Sequence, residues 1–149
     1  MSEALADLLH RVDQLESIHA IERVSASYCR GADQRDIGVF LSAWAEDGVW
    51  EVSPELRFVG LADISEAIQH QWRNSQRAAH WTSNGVIDVH GDTASALFDV
   101  NSETQLLDGQ WITISGAYSD RYVRRDATWK LAKRSAFVYS QHSVESGPG

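Results

Sequence analysis

The stretch Thr93-Ala94-Ser95-Ala96-Leu97-Phe98-Asp99-Val100 decides the fold, because small and apolar residues recur at every second position. Successive side chains of a β-strand point to opposite faces of the sheet. One face of this segment therefore carries Ala94, Ala96, Phe98 and Val100. The opposite face carries Leu97, Asp99, Asn101 and Glu103. The alternation predicts a strand over Thr93–Gln105 with one buried face.

Short turn sequences flank this strand and recur through the second half of the chain. They are His90-Gly91-Asp92, Asp108-Gly109 and Asp126-Ala127. Between the turns lie segments with strand character, Trp81–Val89, Trp111–Arg125 and Thr128–Tyr139. Long strands that tight turns connect form an antiparallel meander.

The first half of the chain has helical periodicity instead. Leu5, Leu8, Val12 and Leu15 recur at helical spacing and predict an amphipathic helix. Ser17 is expected to cap a second helix or to mark a kink. The face of that second helix carries Ile18, Ile21, Ser25 and Tyr28, and Gly31 is expected to end it.

Two short helices and a hairpin are predicted between these parts. Asp36 is expected to cap the first helix and Asp63 the second, whose inward side chains are Ile64, Ala67, Ile68 and Trp72. Glu46-Asp47-Gly48 is predicted as a turn before a hairpin of Val49–Val52 with Leu56–Val59.

Helices first and long strands last indicate an α+β fold, with the N-terminal helices packed on the concave face of a cone-shaped, curved antiparallel sheet. The 149 residues fit a single domain over 1–149. The small, polar tail 143–149 is expected to be disordered.

Composition excludes several classes of partner. The net charge of −8 argues against nucleic acid and against an anionic membrane surface. No basic segment followed by an apolar run opens the chain, and we expect a cytoplasmic location.

Cys29 is the single cysteine and is interpreted as core filler. Asp88–Asp92 is interpreted as a turn that lacks a third convergent ligand, so we expect no metal site. We also expect no cofactor.

Asp33 and His80 are the candidate catalytic pair. Asp33 lies where a helix ends, and His80 opens a predicted strand. A carboxylate that holds Nδ1 of an imidazole can prepare the ring to move a proton near neutral pH. The spacing of these two residues is also compatible with a hydrogen bond that only stabilises the fold.

The order of these elements resembles the SnoaL-like branch of the nuclear-transport-factor-two-like fold. Within it, the chain is similar to the scytalone dehydratases, bile acid 7-alpha-dehydratase and hexachlorocyclohexane dehydrochlorinase. The segments that carry the resemblance are Gly31-Ala32-Asp33-Gln34-Arg35, Ala43-Trp44-Ala45-Glu46-Asp47-Gly48-Val49-Trp50, His80 with Asn84, and Gly116-Ala117-Tyr118 through Arg124-Arg125-Asp126 to Trp129-Lys130-Leu131.

The resemblance implies roles for individual residues. An aspartate at the position of Asp33 orients a histidine at the position of His80, which removes a proton from carbon. Tyr28 matches a tyrosine that assists the dehydratases, where the dehydrochlorinase has a lysine. Arg134 matches an arginine that assists departure of the leaving group. Glu103 loosely matches a further acidic residue of the bile acid enzyme.

The resulting hypothesis is a cofactor-independent lyase that acts on a hydrophobic cyclic or aromatic small molecule. We expect it to eliminate water, and elimination of halide is the second choice. His80, Asp33 and Tyr28 are its catalytic residues. Its expected substrate contacts are Arg134, Asn101, Glu103 and Asn84. The resemblance also implies a homo-oligomer, with a trimer favoured over a dimer.

Two alternatives stay open at this point. One is isomerase or cyclase chemistry of the ketosteroid isomerase or polyketide cyclase type, with Glu103 or Asp99 as the base. The other is a non-catalytic ligand-binding or accessory protein of the same fold, because a fold alone does not fix a function.

Overall fold

A six-stranded sheet forms the centre of the molecule in the computed structural model, which describes residues 1–144. The elements in chain order are α1 (Glu3–Gln34), α2 (Ile37–Ser42), β1 (Trp44–Ser53), β2 (Leu56–Val59), α3 (Gly60–Arg73), β3 (Ser75–His90), β4 (Thr93–Leu106), β5 (Trp111–Arg125) and β6 (Thr128–Val144). The strand order in the sheet is β2-β1-β6-β5-β4-β3. The predicted α+β architecture, with N-terminal helices packed on a curved sheet, is confirmed.

The predicted meander of β3 to β6 is confirmed, since each of these strands pairs antiparallel with the next. The bounds of β2 and β5 agree with the sequence prediction. β3 begins earlier than predicted, at Ser75 rather than Trp81. His80 consequently lies inside this strand and does not open it.

The prediction of a wholly antiparallel sheet is wrong at one place. β1 pairs parallel with β6, where Trp50 lies opposite Arg134, so the sheet is mixed. Alternating polarity fixes which face a side chain takes, but it carries no information about strand direction. The long connection between β1 and β6 supplies the crossover that a parallel pair requires.

The first helix also differs from the prediction. α1 continues through Ser17 and Gly31 and ends at Gln34, followed by Arg35 as its C-cap in the left-handed conformation with φ 56°. Ser17 is buried inside this helix and caps nothing. The apolar stripe Leu5, Leu8, Val12 and Leu15 is exposed. The predicted homo-oligomer, trimer or dimer, stays a prediction.

Three smaller expectations need correction. Ser143 and Val144, predicted to be disordered, belong to β6 and pair with Ile112 and Trp111, while residues 145–149 lie outside the described residues. Glu46–Gly48 is part of β1, at an irregularity in its pairing with β6. α3 begins at Gly60, with no side-chain hydrogen bond at its N-terminus, so Asp63 is not its cap. The predicted cap at Asp36 is confirmed by a 3.0 Å hydrogen bond from the Val39 amide.

An aromatic cluster holds the helices against β1. Phe40 is fully buried, and its ring centroid lies 5.1 Å from that of Tyr28 and 5.6 Å from that of Trp50. Such contacts stabilise a core beyond their buried area, by about 0.5–1.5 kcal/mol per pair. The cluster fixes the last turns of α1, which carry Tyr28 and Asp33.

The structure contains no helix in residues 1–144 that has both the length and the apolar character needed to cross a lipid bilayer.

Gly31 allows α1 and α2 to approach closely, and this predicts a stability difference between two glycines. A Cβ at Gly31 would lie 2.3 Å from the amide nitrogen of Phe40. We expect Gly31→Ala to lower the free energy of unfolding by about 1–3 kcal/mol, the usual cost of overpacking. Urea unfolding followed by circular dichroism measures the change.

Gly38→Ala is the matched control, because Gly38 lies in α2 and its added Cβ would meet nothing closer than Asp36 Oδ1 at 3.4 Å. Alanine favours a helix over glycine by about 1 kcal/mol, so this variant should be no less stable than the parent. Equal losses in the two variants would contradict the role assigned to Gly31.

Candidate active site

A pocket of about 420 Å³ lies between the helices and the inner face of the sheet. Tyr28 and Ala32 of α1 and Ile68 of α3 line one side. His80 and Tyr118 lie on the sheet side. The remaining sheet-side contacts include Trp50, Val52, Ala78, Val100, Ser102, Thr104, Leu106, Ile112, Ile114, Ala136, Phe137 and Val138. The lining is mainly apolar, with a few polar groups, as in most small-molecule sites.

The end of α1 is held by hydrogen bonds of two side chains, one that reaches β3 and one that comes from α3. Arg35 Nη2 donates to the carbonyl oxygens of Ser75 and Gln76, at 2.6 and 2.9 Å. The Trp72 indole N–H of α3 donates to the carbonyl oxygen of Ala32 at 2.8 Å. These bonds fix the end of α1 next to the part of β3 that lines the pocket, and so they place Asp33 beside His80.

Asp33 binds His80 through both carboxylate oxygens. Oδ1 lies 2.5 Å from His80 Nδ1, and Oδ2 accepts the backbone N–H of His80 at 2.8 Å. β3 is an edge strand, so the backbone N–H of His80 is available to the helix. The predicted contact between these residues is confirmed, with both side chains about one-fifth exposed.

This contact leaves the other ring nitrogen available. A neutral imidazole whose Nδ1–H donates to a carboxylate carries an unprotonated Nε2. Because His80 lines the pocket, the arrangement provides a proton acceptor at the pocket wall. A ring that has taken a proton at Nε2 keeps its contact with the Asp33 carboxylate through Nδ1. The pair can therefore act as a general base and then as a general acid.

Tyr28 lies in the pocket wall, as the hypothesis requires, but it is not the sole tyrosine there. Tyr118 of β5 also lines the pocket, with its ring centroid 5.8 Å from that of Tyr28. Burial raises the pKa of both hydroxyls well above the usual range for tyrosine. Both therefore remain neutral hydrogen-bond donors across the physiological pH range.

Arg134 is not in the pocket wall, contrary to its expected contact with the substrate. Its side chain is fully buried. Nε and Nη2 donate to the two carboxylate oxygens of Asp120 at 2.9 and 2.6 Å, and Nη2 also donates to Ser25 Oγ at 3.0 Å. A buried guanidinium needs such a partner, because an unpaired charge is costly in the interior. The pairing directs Arg134 to the core beneath the tyrosines.

Asn101 and Glu103 lie on the outer face of the sheet and are exposed, so the expectation that they line the pocket is wrong. Their neighbours Val100, Ser102 and Thr104 line it instead, since alternate residues of β4 face opposite sides. Asn101 Oδ1 accepts a hydrogen bond from the Ser115 hydroxyl on that outer face.

Asn84 also lies outside the pocket. The pairing of β3 with β4 is irregular between Ser83 and Val86, and Asn84 adopts a left-handed conformation with φ 52°. Such a bulge interrupts the alternation of faces that placed Asn84 on the same side as His80. Its side-chain amide donates to Asp99 Oδ2 at 2.6 Å on the exposed surface.

Tyr118 and Asp120 are the functional candidates that the sequence interpretation missed. Periodicity carries no signal for the partner of Asp120, because an uninterrupted hairpin about Asp126-Ala127 would place Asp120 opposite Lys133, and the register shift between Arg121 and Tyr122 brings it opposite Arg134. Tyr118 lies two residues earlier and so shares the inner face. An acidic and a basic residue opposite one another on a buried face indicate an internal ion pair.

Residues 1–144 contain no cluster of three or more histidine, cysteine or acidic side chains arranged to hold a metal ion. Cys29 is buried, and burial raises the pKa of its thiol to about 11. The thiol therefore stays protonated at neutral pH, where it is a poor nucleophile. The interpretation of Cys29 as a core residue agrees with this environment.

A family comparison matches residues 13–135 to the SnoaL-like domain. The chain belongs to the SnoaL-like family. Hexachlorocyclohexane dehydrochlorinase 1 from Sphingobium indicum is 29% identical to this SnoaL-like protein over 131 residues, which cover 82% of this chain and 81% of the relative.

Two solved structures share the fold of this SnoaL-like protein. Hexachlorocyclohexane dehydrochlorinase type 3 from Novosphingobium barchaimii superposes with a TM-score of 0.85 at 24% identity, covering 93% of this chain and 99% of that one. A scytalone dehydratase-like protein from Novosphingobium aromaticivorans superposes with a TM-score of 0.82 at 20% identity, covering 90% and 91%. These two structures show the fold. The curated relatives, which are dehydrochlorinases, support the assignment of enzyme class: this SnoaL-like protein is a lyase.

The buried ion pair in this SnoaL-like protein predicts a large loss of stability when its charge balance is broken. Asp120→Asn keeps the shape of the side chain but leaves the Arg134 guanidinium without a counter-charge. We expect the free energy of unfolding to fall by about 3–5 kcal/mol, as for other broken buried pairs. Chemical denaturation gives the value.

Asp47→Asn is the control, since Asp47 forms an exposed pair with Arg125 at 2.9 Å. Exposed pairs contribute little to stability, and this variant should unfold like the parent. A similar small effect in both variants would show that Asp120 does not neutralise Arg134 in the folded protein.

Proposed function

We propose that this protein catalyses the cofactor-independent 1,2-elimination of water from a hydrophobic cyclic or aromatic small molecule. The observation that carries the proposal is the two-oxygen contact of Asp33 with His80, which leaves His80 Nε2 available at the wall of an apolar pocket. His80 is the base, Asp33 orients it, and Tyr28 is a hydrogen-bond donor.

The reaction needs one proton acceptor and one site for developing negative charge. His80 Nε2 takes a proton from the carbon next to a carbonyl group, and the electron pair of that C–H bond moves onto the carbonyl oxygen. Tyr28 donates a hydrogen bond to this oxygen. As the carbonyl forms again, the C–O bond at the neighbouring carbon breaks. The departing hydroxyl takes the proton from His80 and leaves as water.

The pocket supports a ring compound as substrate. Its volume of about 420 Å³ and its lining by Trp50, Ile68 and Ile114 suit an apolar body of small-molecule size. Hydrophobic walls also exclude water, which strengthens the interactions of the charges formed during the reaction.

Elimination of halide is the less favoured form of the same chemistry. The relatives named as dehydrochlorinases support it at 28–29% identity. Two observations favour oxygen over halide as the bound atom. Tyr28 is a neutral hydrogen-bond donor in the pocket wall. Arg134, which was expected to assist departure of the leaving group, is already paired with Asp120.

The isomerase alternative loses its proposed base in this structure. Glu103 and Asp99 are both exposed on the outer face of β4, so neither carboxylate reaches the pocket. The accessory alternative expected a pocket filled by tryptophan side chains. Trp50 and Trp72 line the pocket but leave it open, and this favours an enzyme.

The proposal predicts an order of losses when its three residues are changed. His80→Gln should abolish the reaction. Asp33→Asn should lower the rate by about 10⁴, the loss found when an orienting carboxylate is removed from a serine protease triad. Tyr28→Phe should cost less, about 10- to 1000-fold, because it removes one donor and leaves the base.

The measurement uses 3-hydroxycyclohexanone as the probe for water loss, followed by the near-ultraviolet absorbance of the enone, and hexachlorocyclohexane as the probe for chloride loss. His90→Gln is the matched control, since His90 is an exposed histidine in the same strand. Circular dichroism confirms folding of each variant. Retention of parental activity by His80→Gln would disprove the proposed base.

A further inference from the structure

Arg134 lies between the rings of the two pocket tyrosines. Its guanidinium carbon is 4.3 Å from the centroid of Tyr28 and 4.1 Å from the centroid of Tyr118. At these distances a cation is attracted to the face of each ring. The two bonds to Asp120 fix the plane of the guanidinium, and the guanidinium in turn fixes both rings. The tyrosines are therefore held from behind, on the side away from the pocket.

Tyr28 and Tyr118 lie next to each other in the pocket wall. Their rings meet edge to face with the centroids 5.8 Å apart, and both residues line the pocket. Tyr28 is 3% exposed and Tyr118 is 6% exposed, so water competes weakly for their hydroxyls. Burial keeps each hydroxyl in its neutral form, while the positive charge of Arg134 lowers the pKa of both and so makes them stronger donors.

The geometry points to a second donor in the proposed site: we propose that Tyr118 acts with Tyr28 to bind a single oxygen atom of the substrate. This inference rests on the proposed elimination, and it specifies the substrate class as a ring that carries a carbonyl or phenolic oxygen. Arg134 contacts the rings and not the substrate.

Two donors suit an oxygen that becomes negative during the reaction. A substrate oxygen between the two neighbouring tyrosine side chains accepts a hydrogen bond from each hydroxyl, and the charge that His80 generates on it is shared between them. Donors already in place for developing charge lower the barrier without rearrangement.

Binding of 4-nitrophenol tests this inference without knowledge of the natural substrate. Its anion resembles an enolate oxygen on a ring, and it absorbs visible light whereas the neutral form does not. The two donors should stabilise the anion, so the pKa of the bound phenol should lie below that of the free phenol. Titration of the visible absorbance with saturating protein gives this pKa directly.

Tyr118→Phe should weaken binding of the nitrophenolate by about 10- to 100-fold, the usual contribution of a hydrogen bond to a charged group. It should also raise the pKa of the bound phenol toward the free value. Tyr28→Phe should do the same, and the double variant should show the coupling expected of two donors on one atom.

Tyr122→Phe is the matched control. Tyr122 is a buried tyrosine of the same strand, but its hydroxyl donates to Asp120 at 2.8 Å and it does not line the pocket. This variant should bind the phenolate like the parent. A parental pKa of the bound phenol in Tyr118→Phe, or binding of the neutral phenol alone to the parent protein, would overturn the inference.

The test of Tyr118 can fail independently of the proposed function. If His80→Gln loses elimination but Tyr118→Phe binds the phenolate like the parent, His80 remains the proposed base and Tyr118 is not a second donor. If His80→Gln keeps its activity but Tyr118→Phe binds the phenolate more weakly, the pocket binds an oxygen with two donors and its chemistry does not depend on His80.

Discussion

The contact between Asp33 and His80 is the constraint on which the rest of the site depends. A single carboxylate holds a backbone N–H with one oxygen and the imidazole of the same residue with the other. The first bond fixes the strand against the helix, and the second fixes the ring within that strand. The same interaction therefore positions an edge strand of the sheet and orients the imidazole of the proposed base. The contacts of Arg35, Gly31 and Trp72 support this interaction, because they place the end of α1 beside His80.

A second part of the pocket wall, formed by Tyr28 and Tyr118, has a different physical basis. Two tyrosine hydroxyls must remain in an apolar wall without losing their orientation. Arg134 supplies the attraction that holds both rings, and Asp120 supplies the charge that makes a buried arginine tolerable. The charged pair lies behind the aromatic rings, and the polar side chains that line the pocket are uncharged groups and two histidines, His70 and His80. Among the described residues, the lining of this pocket contains no aspartate, glutamate, lysine or arginine.

Much of the fold could be predicted from the sequence because its strands alternate cleanly and its turns contain aspartate and glycine. β2 and β5 have the predicted bounds, and Asp33 meets His80 as expected. The errors have identifiable causes. An alternating pattern of apolar and polar residues does not indicate strand direction, so the sequence analysis did not predict the parallel pairing of β1 with β6. Gly31 looked like a helix end, but it serves the close approach of Phe40. The misplaced site residues Asn84, Asn101 and Glu103 are polar residues of the outer face. Arg134 and Tyr118 required knowledge of what lies behind the pocket wall, which periodicity does not provide.

Nitrogen-15 NMR of the histidine side chains at neutral pH tests the role of the Asp33–His80 contact most directly. The signals of His80 are identified by their loss in His80→Gln. In its neutral form His80 should carry its proton on Nδ1, with a downfield proton resonance from the bond to Asp33, and Nε2 should be unprotonated. Asp33→Asn should abolish this downfield resonance. If the neutral ring instead carried its proton on Nε2, no lone pair would be available to the pocket, and His80 would not be the base.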